Sequence, residues 1–145
     1  MKIYSKIIEM ILNTLGTYRP ECGGVLGAGE DGVITHYYFD STGKSEPKCY
    51  TPDVEAINRV LTEEWFPKGI FMVGIVHSHD AMNPYPSCGD VSYGINILRA
   101  LDTTEKFFLP ILTVENDEMN LQGYVIETDE VHGYVCRAIE VSVVE

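Results

Sequence analysis

Apolar positions along the chain recur with two different periods. From residue 3 to 15, Ile3, Ile7, Ile8, Ile11, Leu12 and Leu15 return at helical spacing, which predicts a core-packing helix ended by Gly16. Residues 23–28, Gly-Gly-Val-Leu-Gly-Ala, read as a strand; Glu30-Asp31-Gly32 is a turn and residues 33–39 are its hairpin partner. The stretch 41–48 is polar and loop-like. Thr51-Pro52-Asp53 has the chemistry of a helix start, with Thr51 as N-cap and Pro52 at the first helical position, and the helix runs to about Trp65. Residues 69–76 form an apolar, β-rich run that predicts a buried strand. A further helix, 87–101, carries Val91, Ile95, Leu98 and Leu101 on one face. Residues 107–114 and 120–126 read as strands joined by the acidic turn Glu115-Asn116-Asp117-Glu118, and 134–144 reads as either a strand or a short helix.

This order of elements predicts an α/β fold, a mixed central sheet covered by helices in three α-β-α layers. No repeat, low-complexity tract or linker divides the sequence, and 1–145 reads as a single domain of ordinary size. The balance of 10 basic against 22 acidic residues, a net −12, argues against nucleic acid or an anionic membrane surface as the main partner. It favours a partner with a basic patch. No apolar run suits a membrane span, and Glu9 and Asn13 interrupt what would be the apolar part of a signal peptide. Cys22, Cys49, Cys88 and Cys136 are spread without a Cys-x-x-Cys pair, which suits free thiols in a reducing cytoplasm.

The chemistry concentrates in residues 76–90. His77 and His79 are two apart at or just past a strand end, so both imidazoles face one side. A loop broken by Asn83-Pro84 and Pro86 follows; then Ser87 opens a helix with Asp90 in its first turn. Two nitrogens and a carboxylate oxygen suit Zn²⁺, and three protein ligands leave a fourth position for water, as in catalytic zinc sites. Each piece also has a plain reading. His-x-His can be two ordinary histidines, and Ser87 with Asp90 can be simply a helix cap favourable to the helix dipole. Gly43-Lys44-Ser45 is not a phosphate loop, because the upstream glycine that motif needs falls at Tyr38. His36 and His132 read as packing or surface residues.

His77-Ser78-His79, seven residues, Ser87, two residues, Asp90: this pattern resembles the JAMM signature of the JAB/MPN metalloprotease family, and the likeness extends over nearly the whole chain. Asp80 stands where the family usually has proline. The resemblance implies a fold similar to that of cytidine deaminases and zinc held by His77, His79 and Asp90. It also implies that Glu21, in Pro20-Glu21-Cys22-Gly23-Gly24, is the general base and acid. On spacing alone Glu21 would be a solvated residue at a strand entrance. The resemblance further implies that the Ser87 hydroxyl helps to stabilise an oxyanion. Ser78 points away from the ligand face of a regular strand, and Cys88 is treated as a non-ligand. Small prokaryotic members of the family process ubiquitin-like or sulfur-carrier proteins, so the implied activity is hydrolysis of the amide after a C-terminal Gly-Gly tail of a β-grasp partner. The alternative is a non-catalytic scaffold domain, against which the intact ligand set counts. A zinc deaminase is less suitable, since it needs His-x-Glu and Pro-Cys-x-x-Cys.

Overall fold

The computed structural model describes residues 1–17, 21–101 and 104–145. A short strand, β1 (Lys2–Tyr4), leads directly into α1 (Ser5–Thr14). The expected helix therefore begins two residues later than its apolar spacing suggests, because Ile3 is taken up in a strand. The hairpin β2 (Gly23–Ala28) and β3 (Ile34–Phe39) follows. The polar stretch after it is not all loop. It forms a second small hairpin, β4 (Lys44–Glu46) and β5 (Cys49–Thr51), paired apart from the main sheet. Thr51 thus ends a strand instead of capping a helix. The cap of α2 (Val54–Val60) is Asp53, whose side chain accepts from the Ala56 N–H. A carboxylate is at least as good an N-cap as a hydroxyl, so the displacement by two residues has a local cause. A π-helical turn, Leu61–Trp65, and a 3₁₀ turn, Phe66–Lys68, continue α2 to Gly69, whose φ of 71° is the left-handed stop.

Next come β6 (Phe71–His79) and α3 (Cys88–Ala100). The expected strand 107–114 is two pieces, β7 (Lys106–Phe108) and β8 (Ile111–Glu115), interrupted at Leu109-Pro110. Proline has no N–H for the ladder, which accounts for the break. A tight turn at Asn116 and Asp117, with φ of 50° and 64°, connects β8 to β9 (Glu118–Asp129). Two consecutive left-handed residues of this kind favour a hairpin. The undecided segment 134–144 is extended: β10 (Gly133–Ile139) and β11 (Ser142–Val144).

The main sheet runs in the order β10-β9-β7-β6-β2-β3-β1-β11, with β8 between β6 and β9. It is mixed: β6 pairs antiparallel with β2 and parallel with β7 and β8. Side chains alternate across the sheet, and each face packs a different layer. Leu26 and Val76 join Ile7 and Ile11 of α1 and Leu15, its C-cap. On the other face Val25 meets Ile57, Leu61 and Trp65 of the α2 segment, while Ile75 meets Leu98 of α3 with Phe107 and Tyr124. This is the three-layer α-β-α arrangement expected from the order of elements. Its parity also places His77 and His79 on the Ile75 face, under α3.

Candidate metal centre

Strand β6 extends to His79, three residues past the apolar run, because β8 pairs alongside it at His77, Ser78 and His79. Both imidazoles are thus held in regular strand and are almost wholly buried. Their ring centroids lie 4.6 Å apart. Ser78 points to the opposite face, where its hydroxyl accepts from the Cys22 N–H at 3.0 Å.

Helix α3 brings the third group. Ser87 caps it by accepting from the Asp90 N–H at 3.1 Å, and Asp90 Oδ2 accepts from the Ser87 N–H at 2.7 Å. This reciprocal capping box fixes the Asp90 carboxylate. The same Oδ2 lies 3.2 Å from Nε2 of His77 and 3.2 Å from Nε2 of His79. One donor atom from each residue can be chosen so that all three lie within 4.8 Å of one another.

The details fit a metal. His79 Nδ1 lies 3.0 Å from the Asn83 carbonyl oxygen. With the proton on Nδ1 donated there, Nε2 keeps its lone pair for an ion. His77 Nε2 is near Asp90 but not aligned for a hydrogen bond, and neither buried nitrogen of that ring has a hydrogen-bond partner. Burying such nitrogens unpaired is costly, and coordination would satisfy one of them. Burial by itself raises the Asp90 carboxyl, but the two imidazoles outweigh it and hold the group far below the usual carboxylate range. For His79, burial disfavours the charged ring; the bonds to Asp90 and Asn83 reverse this and leave its pKa raised.

Glu21 arrives from the neighbouring strand. The β2–β6 register sets Gly23 opposite His77, and Ser78 N–H donates to the Cys22 carbonyl. Carried one pair further, the register puts Glu21 opposite His79, on the same face as the imidazoles. Burial pushes the Glu21 carboxyl above its ordinary value, against the pull of His79 and His77. Glu21, His77, His79, Ser87 and Asp90 all line one cleft of about 470 Å³. Asp80, whose Oδ1 accepts from the Met82 N–H, also lines it. The other two histidines stand elsewhere: His36 is edge-on to Trp65, and His132 is bonded to Asp129. Cys88 lies outside the cluster, and among the described residues the four cysteines form no disulfide.

Sequence reasoning missed several residues here. Asn83 looked like a chain breaker but orients His79. Tyr50 and Tyr93 form walls of the cleft. Asp40, only 1 % exposed, accepts from the Tyr50 hydroxyl at 2.6 Å and from the Asp53 N–H at 2.9 Å. Burial and this bond push the Tyr50 phenol far above its ordinary value. An aspartate directly after a β-strand is a faint signal; its partners lie ten and thirteen residues on, across a hairpin that the composition concealed.

Fold and site together define a JAB/MPN-type domain with a candidate metal centre. The chain belongs to the prokaryotic homologs of the JAB domain, whose family model matches residues 5–122. Its fold is similar to the solution structure of protein DSY2949 from Desulfitobacterium hafniense, at 19% identity and a TM-score of 0.69 over 99% of this chain and 92% of that one. It is also similar to AF2198, a JAB1/MPN domain protein from Archaeoglobus fulgidus, at 18% identity and a TM-score of 0.50, with both chains covered in full. No curated protein matches. Among the described residues, no helix is long and apolar enough to cross a membrane.

Proposed function

We propose that the protein is a zinc-dependent peptidase or isopeptidase that hydrolyses the amide after the C-terminal Gly-Gly tail of a ubiquitin-like, β-grasp partner. One observation carries the reading: two buried imidazoles and a capping-box carboxylate converge beside Glu21 in a single cleft. His77, His79 and Asp90 would hold the ion. Zinc supplies Lewis-acid polarisation of a carbonyl and acidifies water to a pKa of about 7.

The chain's own groups supply the rest. Glu21 takes a proton from the attacking water and returns it to the leaving amine, so the amide C–N bond breaks as a C–O bond forms. Its burial, which raises the pKa in the metal-free chain, favours a carboxyl that can hold that proton between the two steps. The Ser87 oxygen accepts from the helix, so its hydroxyl hydrogen is left to donate to the oxygen that gains charge. The acidic surface favours a partner with a basic patch near its tail.

The test is a β-grasp protein ending in Gly-Gly, joined to an amine reporter and offered to the zinc-loaded chain. Cleavage after the second glycine should stop on chelation. It should fall by about 10²–10⁴ in Glu21→Gln with zinc retained, the range for losing a general base. Zinc-loaded protein that leaves the substrate intact, or a Glu21→Gln variant as fast as wild type, would overturn the proposal.

A further inference from the structure

The cleft has an aromatic wall whose construction is unusual. Gly23 stands opposite His77 in the β2–β6 register, so a side chain at Gly23 would share the face of that imidazole. There is none, and the space is filled by the ring of Tyr50, with which any Cβ at Gly23 would collide. The ring therefore sits immediately beside the candidate metal centre.

The same ring is tied at its far end. Its hydroxyl donates to Asp40 Oδ2, and Asp40 is anchored in turn: its N–H donates to the Gly23 carbonyl, and its own carbonyl accepts from the Gly43 N–H. Asp40 Oδ2 also accepts from the Asp53 N–H, and Thr42 donates to the Asp53 carboxylate at 2.8 Å. Both ends of the β4–β5 hairpin thus close on Asp40, one on its main-chain carbonyl and the other on its buried carboxylate. Wedged on Gly23 and held by Asp40, Tyr50 cannot swing aside without breaking these bonds. On the α3 side the cleft is bordered by Tyr93, three residues after Asp90 and so on the same face of the helix.

Resting on the function proposed above, we propose that Tyr50, fixed by Asp40, and Tyr93 are the residues that set specificity. The two rings flank the metal cluster and admit only small residues next to the scissile bond. A glycine has no side chain to set against either ring. A branched side chain must displace one of them, and the tether of Tyr50 resists this. Selection works by excluding the wrong tail as much as by holding the right one. Asp40 is a positioning residue, since it acts through Tyr50.

The test uses the full chain loaded with zinc and two tail peptides that differ only in ending Gly-Gly or Ala-Val. Binding is measured by calorimetry, and cleavage of the matching β-grasp substrates is measured in parallel. Wild type should favour the Gly-Gly tail at least about tenfold, within the range that small size differences command in an enzyme pocket. Tyr50→Ala should bring the two tails within about twofold of each other by admitting Ala-Val. Tyr93→Ala, a change at a half-exposed helix position, should relax the preference in the same direction and guards against misfolding of the hairpin variant. Tyr50→Phe keeps the ring but loses the tether to Asp40; its preference should fall between those of wild type and Tyr50→Ala, while KM rises more than kcat falls. Preference unchanged in both alanine variants, or absent in wild type, would overturn the assignment. Tail preference in binding without any cleavage would instead defeat the proposed hydrolysis and leave the two rings as the selective element.

Discussion

Two halves of the cleft are built in opposite ways. The β6–α3 half takes His77, His79, Ser87, Asp90 and Asn83 from one continuous stretch, positioned by a strand end, a short loop and a helix cap. The β2–hairpin half takes Glu21, Tyr50 and Asp40 from separated segments, brought in by sheet register and by one buried carboxylate. The first half is set by local rules and forms the cluster that could hold a metal. The second depends on the assembled sheet, and under the proposed function it concerns proton transfer and choice of substrate. Damage to the first should remove the ion; damage to the second should leave the ion in place and change what happens beside it.

The largest expected break falls in the local half. Asp90→Ala removes a ligand oxygen and one arm of the capping box together. Zinc affinity should drop more than about a hundredfold, beyond what loss of an outer partner of a ligand costs. Denaturant unfolding of the metal-free protein should show a further loss of about 0.5–2 kcal/mol from the cap. Competition with a zinc-binding dye measures the first effect. Retention of full zinc by this variant would sink the ligand assignment.

Ser87→Ala sharpens the comparison, since Ser87 belongs to the metal half by position but to the chemistry by proposed role. Zinc should stay, stability should fall by about 1 kcal/mol through the lost cap, and single-turnover cleavage should slow by about 10²-fold. A stability loss with an unchanged rate would leave Ser87 as a cap alone.

A smaller, graded effect comes from pH. His79 has a raised pKa in the metal-free chain, so the proton on Nε2 competes with zinc. Apparent zinc affinity should fall by about tenfold for each pH unit below that raised pKa and level off above it, because binding then expels no proton from this ring. The break should lie above the ordinary histidine value of 6.5. In the metal-free chain the sign is opposite: the protonated ring stabilises the fold fully below the unfolded value, and this is lost as pH rises through the raised pKa. Zinc titrations across pH 5.5–8.5, about the range of imidazole titration, read the first effect. A flat profile would show that no proton is displaced.

The smallest change should come from the histidines outside the cleft. His132→Ala breaks an exposed contact to Asp129, and zinc content should equal that of wild type. Measurable loss of zinc would point to a second site.

These contrasts also explain what could be read in the sequence. The clustering of His77, His79 and Asp90 was legible because strand periodicity puts residues two apart on one face, and because an N-cap serine announces where the helix, and so Asp90, begins. The three layers were legible from the order of periodic segments. Glu21 was visible only through likeness to a family, since nothing in its neighbours says which strand pairs with which; the register that sets it opposite His79 is a property of the sheet. The β4–β5 hairpin was hidden by its polar composition, which suits a small two-stranded ribbon outside the main sheet as well as it suits a loop. Thr51 reads as a cap because a proline follows it, as at many helix starts, whereas Asp53, two residues later, takes the role in the fold. Pro110 divides an otherwise convincing apolar run, and its effect is plain once the missing N–H is counted.

Zinc-edge X-ray absorption on the purified, zinc-loaded protein tests the central claim most directly. The account predicts a first shell of nitrogen and oxygen only, with the outer-ring scattering of two imidazoles. A sulfur in the first shell would bring in a cysteine such as Cys88 and contradict the assignment of His77, His79 and Asp90 as the protein ligands.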